Sequence, residues 1–78
     1  MSDTLQYTIN LRPEPEGGFT VLVPALPEVV TYGENETEAL AMARDAIELA
    51  LAERRHQGEE IPRDVAPLTR TLTVSNAA

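Results

Sequence analysis

The carboxylates of this chain are the side chains best suited to do chemistry. The 78 residues include 13 aspartates and glutamates, one histidine and no cysteine. Carboxylates hydrolyse phosphodiesters when several of them, on strands and a neighbouring helix, converge on two metal ions. The segments with strand character, 5–12 and 69–74, contain no acidic residue, and Asp45 and Glu48 fall on the solvent side of a predicted helix. We therefore predict that the protein is not an enzyme and binds no metal or other cofactor.

The single histidine, His56, does not change this expectation. No cysteine is present and no orienting carboxylate is evident, so neither a Cys-His nor a Ser-His-Asp site can be assembled around it. Near the end of a helix, a solvated imidazole favours the helix dipole. A partner contact or a proton-sensitive switch is the alternative.

The acidic residues are concentrated in one part of the sequence. The formal net charge is -7, and six glutamates lie between Arg12 and Arg44 with no basic residue among them. Such a surface repels nucleic-acid phosphates and attracts a basic protein, which raises its association rate. Simple solubility is the alternative explanation. The residues that we expect to contact a partner are Glu14, Glu16, Glu28 and Glu34, with Tyr32 as an aromatic anchor or, alternatively, a packing residue.

Alternation of apolar and polar residues predicts the strands that must carry these side chains. Segments 5–12 and 19–23 alternate with period two, and the glycine pair between them suits a hairpin. Residues 29–32 predict a short third strand and 69–75 a last one. The order β-β-β-α-β indicates an α+β domain, in which a three-stranded antiparallel sheet is followed by one long helix and a final strand.

The helix is predicted from Glu36 to about Gln57. Asn35 is a good N-cap, Glu38 completes a capping box, and Gly58 suits a left-handed C-cap.

The helix carries two apolar strips, although packing on one sheet requires only one. The strip expected to lie on the sheet consists of Leu40, Ala43, Ile47, Ala50 and Leu51. The second strip consists of Ala39, Met42, Ala46 and Leu49. We expect it to be covered either by segment 61–68 of the same chain or by another subunit or partner.

Taken in order, the motifs resemble the HicB family of bacterial antitoxins. They are Gly-Gly-Phe-Thr-Val, Pro-x-Leu-Pro, Gly-x-x-x-x-Glu-Ala-Leu and Gly-x-x-Ile-Pro, and the resemblance spans about residues 5 to 74. It implies a partial RNase H-like domain that binds and blocks HicA, a small mRNA-cleaving toxin with a double-stranded-RNA-binding-domain-like fold. Many family members continue into a DNA-binding segment. This sequence ends at Ala78 before any such segment, so we expect no direct DNA binding.

We therefore expect a single domain over residues 1–78, with its core at about 5–74 and a disordered tail at 76–78. It should act as a cytoplasmic antitoxin that occludes a HicA-type toxin, since it shows neither a secretion signal nor a membrane-spanning apolar run. A chain of this size buries only a modest core, so a homo-oligomer, a dimer or larger, is expected. The alternative is a stand-alone oligomeric structural or binding protein of the same fold without a cognate toxin.

Overall fold

A computed structural model describes residues 4–65 and 68–77 of the chain. These residues form strands β1 (Asn10–Pro13), β2 (Phe19–Leu22) and β3 (Val30–Gly33) and helix α1 (Glu36–His56). The strands make one antiparallel sheet in the order β1-β2-β3. This arrangement confirms the predicted α+β class and the succession of three strands and one long helix.

The first strand begins at Asn10 rather than at Leu5. Asn10 pairs with Leu22, the last residue of β2. Two residues further on, Pro24 has no N–H to donate and lies in a turn, so the sheet cannot extend in this direction. Residues 5–9, which we call the N-terminal arm, consequently pair with no strand in the part of the chain that the structure describes.

The N-terminal arm nevertheless keeps the buried face that its alternation predicts. Tyr7 and Ile9 pack against a buried cluster formed by Val23, Leu26, Val29 and Leu51. A second cluster consists of Val21, Ala39 and Ala43. Alternation therefore identified Tyr7 and Ile9 as inward side chains, but Leu5 is 48% exposed. Alternation also did not identify where hydrogen bonding starts.

The helix begins and ends where the capping residues predict. Asn35 Oδ1 accepts a hydrogen bond from the N–H of Glu38 at 2.8 Å. The Glu38 carboxylate accepts from the N–H of Glu34 at 2.7 Å, one residue further back than in a standard capping box. At the other end, Gly58 has a φ of 74° and its N–H bonds to the carbonyl of Arg55.

The helix packs mainly on β3 and β2 rather than on β1. Gly33 allows this close approach, because a Cβ there would overlap the backbone of Ala39. The buried residues of α1, Ala39, Ala43 and Leu51, therefore come from both predicted strips. The prediction that Leu40 packs on the sheet is wrong: the residue is 44% exposed, because α1 packs on β3 and β2.

The predicted final strand is not formed by the described residues. Residues 68–77, which we call the C-terminal segment, belong to no helix or strand and are exposed. A strand is stable only when it pairs with another, and none of β1 to β3 pairs with this segment. Ala78 of the predicted tail, and residues 66–67 of the predicted cover for the helix, lie outside the described residues.

Candidate partner-binding site

The sheet has one face covered by α1 and one open face. Val21 points to the covered face, where it packs with helix residues, so its neighbours along β2 point to the other side. On that side Thr20 lies between Arg12 and Tyr32, which pair with it from β1 and β3. The adjacent row contains Asn10, Leu22 and Val30. This open sheet face combines apolar, aromatic and charged side chains, as protein-binding surfaces do.

Glu14 lies at the hairpin end of the open sheet face. Its Oε2 accepts hydrogen bonds from Thr20 Oγ1 at 2.5 Å and from Arg12 Nε at 3.2 Å. The Thr20 hydroxyl and then the Arg12 guanidinium lower the pKa of Glu14 below its ordinary value. The carboxylate is thus charged at neutral pH and held in one orientation.

Tyr32 is held in place by the hairpin loop. Its hydroxyl donates a 3.0 Å hydrogen bond to the carbonyl of Gly17, while the residue remains 46% exposed. Gly18 has a φ of 82°, and a Cβ there would collide with the Tyr32 hydroxyl. A fixed and half-exposed tyrosine loses little conformational entropy when a partner covers it, which is what an interface anchor requires.

Glu16 and Glu34 lie at this same end of the molecule. Glu16 is exposed in the hairpin loop. Glu34 directly follows Gly33, and Gly33 pairs with Phe19, the first residue of β2 after that loop. The first turn of α1 contributes further carboxylates. We call the resulting group, Glu14, Glu16, Glu34, Glu36 and Glu38, the acidic end. The fold thus brings together three of the four predicted contact glutamates and Tyr32.

Glu28 is separated from the acidic end. It precedes β3, and its two carboxylate oxygens accept hydrogen bonds from Arg54 Nε and NH2 at 2.8 and 2.9 Å. Arg54 lowers the pKa of Glu28, whose carboxylate raises that of Arg54 in turn. This ion pair ties the turn before β3 to the end of α1. The sequence pattern had grouped Glu28 with the other glutamates because it did not show that Arg54 would lie opposite.

The second apolar strip of the helix is divided by the fold. Ala39 is buried and Ala46 packs against the larger buried cluster. Met42 and Leu49 remain on the surface, and Leu49 is 71% exposed. The described part of segment 61–68 therefore does not cover them, and Met42 and Leu49 are the members of the strip accessible to a partner.

A groove that the sequence did not predict separates the N-terminal arm from α1. It encloses about 600 Å³ and is open to solvent. Its apolar lining includes Leu5, Tyr7, Ile9, Leu40, Ile47 and Leu51. We call it the arm groove. Pro24 was the signal that could have revealed it, because the early end of β2 leaves the N-terminal arm outside the sheet.

Within residues 4–65 and 68–77, no group of three or more His, Asp or Glu side chains is placed to hold a metal ion. Over the same residues, no helix has the length and apolar character needed to cross a membrane.

Comparison with known proteins gives several relatives, although no protein-family model matches the chain. A UPF0150 protein of Thermoplasma acidophilum is 36% identical over 62 residues, which cover 80% of this chain and 90% of that relative. Antitoxin HicB 1 of Photorhabdus laumondii is 40% identical over 58 residues, covering 74% of this chain and 37% of the relative. Antitoxin HicB of Escherichia coli K12 is 38% identical over 58 residues, covering 74% and 42%. The chain thus spans less than half the length of these HicB antitoxins.

Proposed function

The chain belongs to the HicB family, and we propose that it is an antitoxin that binds and blocks a HicA-type mRNA-cleaving toxin. The observation that carries this proposal is the 38% to 40% identity to proteins named HicB antitoxin over 74% of the chain. In this role the protein acts by binding alone, without catalysing a reaction.

The acidic end provides a physical basis for toxin binding. A protein that cleaves RNA holds the phosphate backbone with cationic side chains. The acidic end offers those cations an alternative set of anions, and the open sheet face beside it presents Tyr32 and Val30 as apolar contacts. We propose that the two surfaces together cover the RNA-binding face of the toxin. The net charge of -7 makes tight DNA binding by this chain alone unfavourable for the same reason.

The proposal is tested with the protein encoded by the neighbouring gene, if that gene encodes a short basic polypeptide. Purified toxin cleaves a reporter mRNA, and this protein is titrated into the reaction. We expect cleavage to stop near stoichiometric amounts. Undiminished cleavage in the presence of a large excess of folded protein would show that the chain is not the antitoxin of that toxin.

Charge variants test whether the acidic end is the contact. Replacing Glu14, Glu16 and Glu34 with Gln should slow association with the toxin by about tenfold at low salt, because steering charges act mainly on the on-rate. The matched control replaces Asp45 with Asn and Glu53 and Glu60 with Gln, and so removes the same net charge from elsewhere on the surface. Equal slowing of both variants would show that only the total charge matters. Glu28 is left unchanged because its ion pair with Arg54 supports the fold.

Met42 and Leu49 are a second proposed contact for the toxin or for another subunit. Replacing both with Glu places charges in a patch that a partner would desolvate, so binding should weaken by about tenfold or more. The control replaces Ala41 and Ala52, exposed on the solvent side of α1, with Glu. Unchanged toxin affinity and unchanged oligomeric mass in the Met42/Leu49 variant would remove this patch from the proposal.

A second candidate function is a stand-alone oligomeric binding protein without a toxin. The observation that favours it is the UPF0150 relative, whose length is matched almost completely and whose name states no antitoxin role. The neighbouring gene distinguishes the two functions, since an antitoxin is expected to be encoded beside its toxin.

A further inference from the structure

The C-terminal segment has the pattern of a strand but pairs with no strand among the described residues. In an extended conformation its apolar residues Leu68, Leu72 and Val74 share one face with Arg70, and Thr69, Thr71 and Thr73 share the other. Leu72 is 82% exposed and Val74 is 78% exposed. The hydrogen bonds recorded for the segment are made between its own residues. Its apolar face therefore lies in water, at a free-energy cost that a partner surface would remove.

Strand β1 offers an unpaired edge. It is the outer strand of the sheet. The N–H of Glu14 donates a 3.0 Å hydrogen bond to the carbonyl of Gly18. This bond determines which residues of β1 direct their backbone N–H and C=O groups toward β2 and which direct them away. Arg12 therefore directs its backbone groups toward β2, while Leu11 directs its N–H and C=O away from the sheet. Among the described residues, no backbone hydrogen bond from another segment reaches this edge.

The arm groove continues the same edge. Leu5, Tyr7 and Ile9 line one wall, and Leu40 and Ile47 on α1 line the other, with Arg44, Glu48 and Arg55 beside them. A strand placed beside the N-terminal arm and β1 would present alternate side chains to this groove, where apolar ones would contact the aliphatic and aromatic part of the lining. The segment that lacks a partner and the edge that lacks a strand thus complement each other.

The chain's own C-terminal segment is badly placed to fill its own groove. Asp64 is fixed beside the N-terminal arm, because its carboxylate accepts bonds from the N–H and Oγ1 of Thr8 at 2.8 and 2.7 Å. A strand that ran on from Asp64 parallel to β1 would advance at the same rise of about 3.3 Å per residue. It would reach the last residue of β1 by residue 69. Leu72 and Val74 would then lie beyond the end of their own sheet.

The shape of the chain agrees with this placement. Its radius of gyration is 15.6 Å and its longest extent is 56 Å, against 26 and 22 Å in the other directions. A compact domain of this length has a radius of gyration of about 11.5 Å. The molecule is thus much more extended than a compact domain of the same length, as expected for a segment that pairs with a second copy.

We propose that two copies of this chain exchange their C-terminal segments. Each segment pairs with the free edge of β1 in the other copy and inserts Leu72 and Val74 into that copy's arm groove. A two-fold arrangement satisfies both edges with identical contacts and leaves no unpaired edge at β1. The acidic end lies outside this contact, so the exchange is compatible with toxin binding but does not depend on it.

Disulfide trapping tests whether the groove is filled by another copy. The chain has no cysteine, so single variants Leu40→Cys and Leu72→Cys each carry one thiol. The two variants are mixed in denaturant, refolded together and oxidised, and cross-linked peptides are identified by mass spectrometry. We expect a covalent dimer in which position 40 of one copy is joined to position 72 of the other. The double variant Leu40→Cys/Leu72→Cys is oxidised separately. If it closes an internal disulfide as a monomer, and the mixture of single variants gives no cross-link, the segment fills its own groove and the proposal is overturned.

Face-specific charge variants provide an independent measurement. Light scattering should give the wild-type protein a mass of twice 8.5 kDa. Replacing Leu72 and Val74 with Lys should weaken the dimer about a hundredfold or more, because two cations would enter the arm groove beside Arg44 and Arg55. Replacing Thr71 and Thr73 with Lys adds the same charge to the opposite face and should leave the dimer intact. A monomeric wild-type protein, a dimer that resists the Leu72/Val74 change, or a wild-type chain that dimerises only with toxin present would each refute segment exchange.

Discussion

The acidic end and the arm-groove side of this molecule differ in how far the chain completes its own interactions. At the acidic end, Tyr32 bonds to Gly17 and Glu14 bonds to Thr20, so polar groups find partners within a short stretch of sequence. On the arm-groove side, Leu40 remains exposed, and none of the described residues forms a strand beside the edge of β1. The difference underlies the two proposed kinds of binding: preformed charge and shape at one end, and missing hydrophobic contacts at the other.

The contrast follows from the range over which each interaction acts. Caps, hairpins and turn hydrogen bonds join residues that are near in sequence, so loop closure costs little entropy. The proposed segment exchange would fill the arm groove with residues from the far end of a second chain, which suits a small domain that buries only a modest surface by itself. Under this proposal the protein completes its local contacts alone and its distant ones with another copy.

The largest expected effect is in the buried cluster that supports the arm-groove side, where Tyr7 and Ile9 pack. Leu26 is fully buried in the cluster beneath α1, so Leu26→Ala should lower the free energy of unfolding by about 2–5 kcal/mol. Leu49→Ala makes the same chemical change at an exposed helix position and should alter it by about 0.5 kcal/mol or less. Urea denaturation followed by circular dichroism measures both. Equal losses in the two variants would mean that the core is not where this fold places it.

The features that depend on neighbouring residues in the chain could largely be predicted from the sequence. Asn35, Glu38 and Gly58 specify the helix ends through side-chain and backbone preferences that act within one turn. Alternation at Tyr7 and Ile9 identified the inward side chains correctly. Such signals are local, which is why they succeed without knowledge of the fold.

Features that depend on distant residues could not be predicted in the same way. The exposure of Leu40 depends on which strands α1 crosses, and α1 packs mainly on β3 and β2. The pairing of Glu28 with Arg54 joins residues 26 positions apart. Proximity along the chain groups Glu28 with the other glutamates, because the sequence does not show that Arg54 lies opposite Glu28 in the fold.

A smaller effect is expected at the N-cap of α1. Asn35→Ala removes the acceptor for the N–H of Glu38 and should lower the free energy of unfolding by about 1 kcal/mol. Thr37→Ala, two residues further along on the exposed surface, should be neutral or slightly stabilising because Ala has the higher helix propensity. If denaturant melts show no difference between the two variants, the Asn35 cap does not stabilise the fold, and the start of α1 is not held by its own local hydrogen bonds.

The smallest expected effect is at Asp64, where the chain returning from α1 meets the N-terminal arm. The N–H and then the hydroxyl of Thr8 lower the pKa of Asp64 below its ordinary value. The folded pKa therefore lies below the unfolded one, so these bonds contribute fully above about pH 3.9 and are lost as the pH falls through the folded pKa.

Asp64→Asn should consequently destabilise the protein at pH 7, and the difference from wild type should shrink as the pH is lowered past the pKa of an unfolded aspartate. Thr8→Val removes the hydroxyl donor but keeps the backbone one, so its effect should be smaller and should not add fully to that of Asp64→Asn. Urea melts of the four proteins of this double-mutant cycle, from pH 7 to pH 3, measure the coupling. A difference between wild type and Asp64→Asn that stays constant across this range would show that the charge of Asp64 does not hold the arm. The position of residue 64 would then no longer argue against the C-terminal segment filling its own groove.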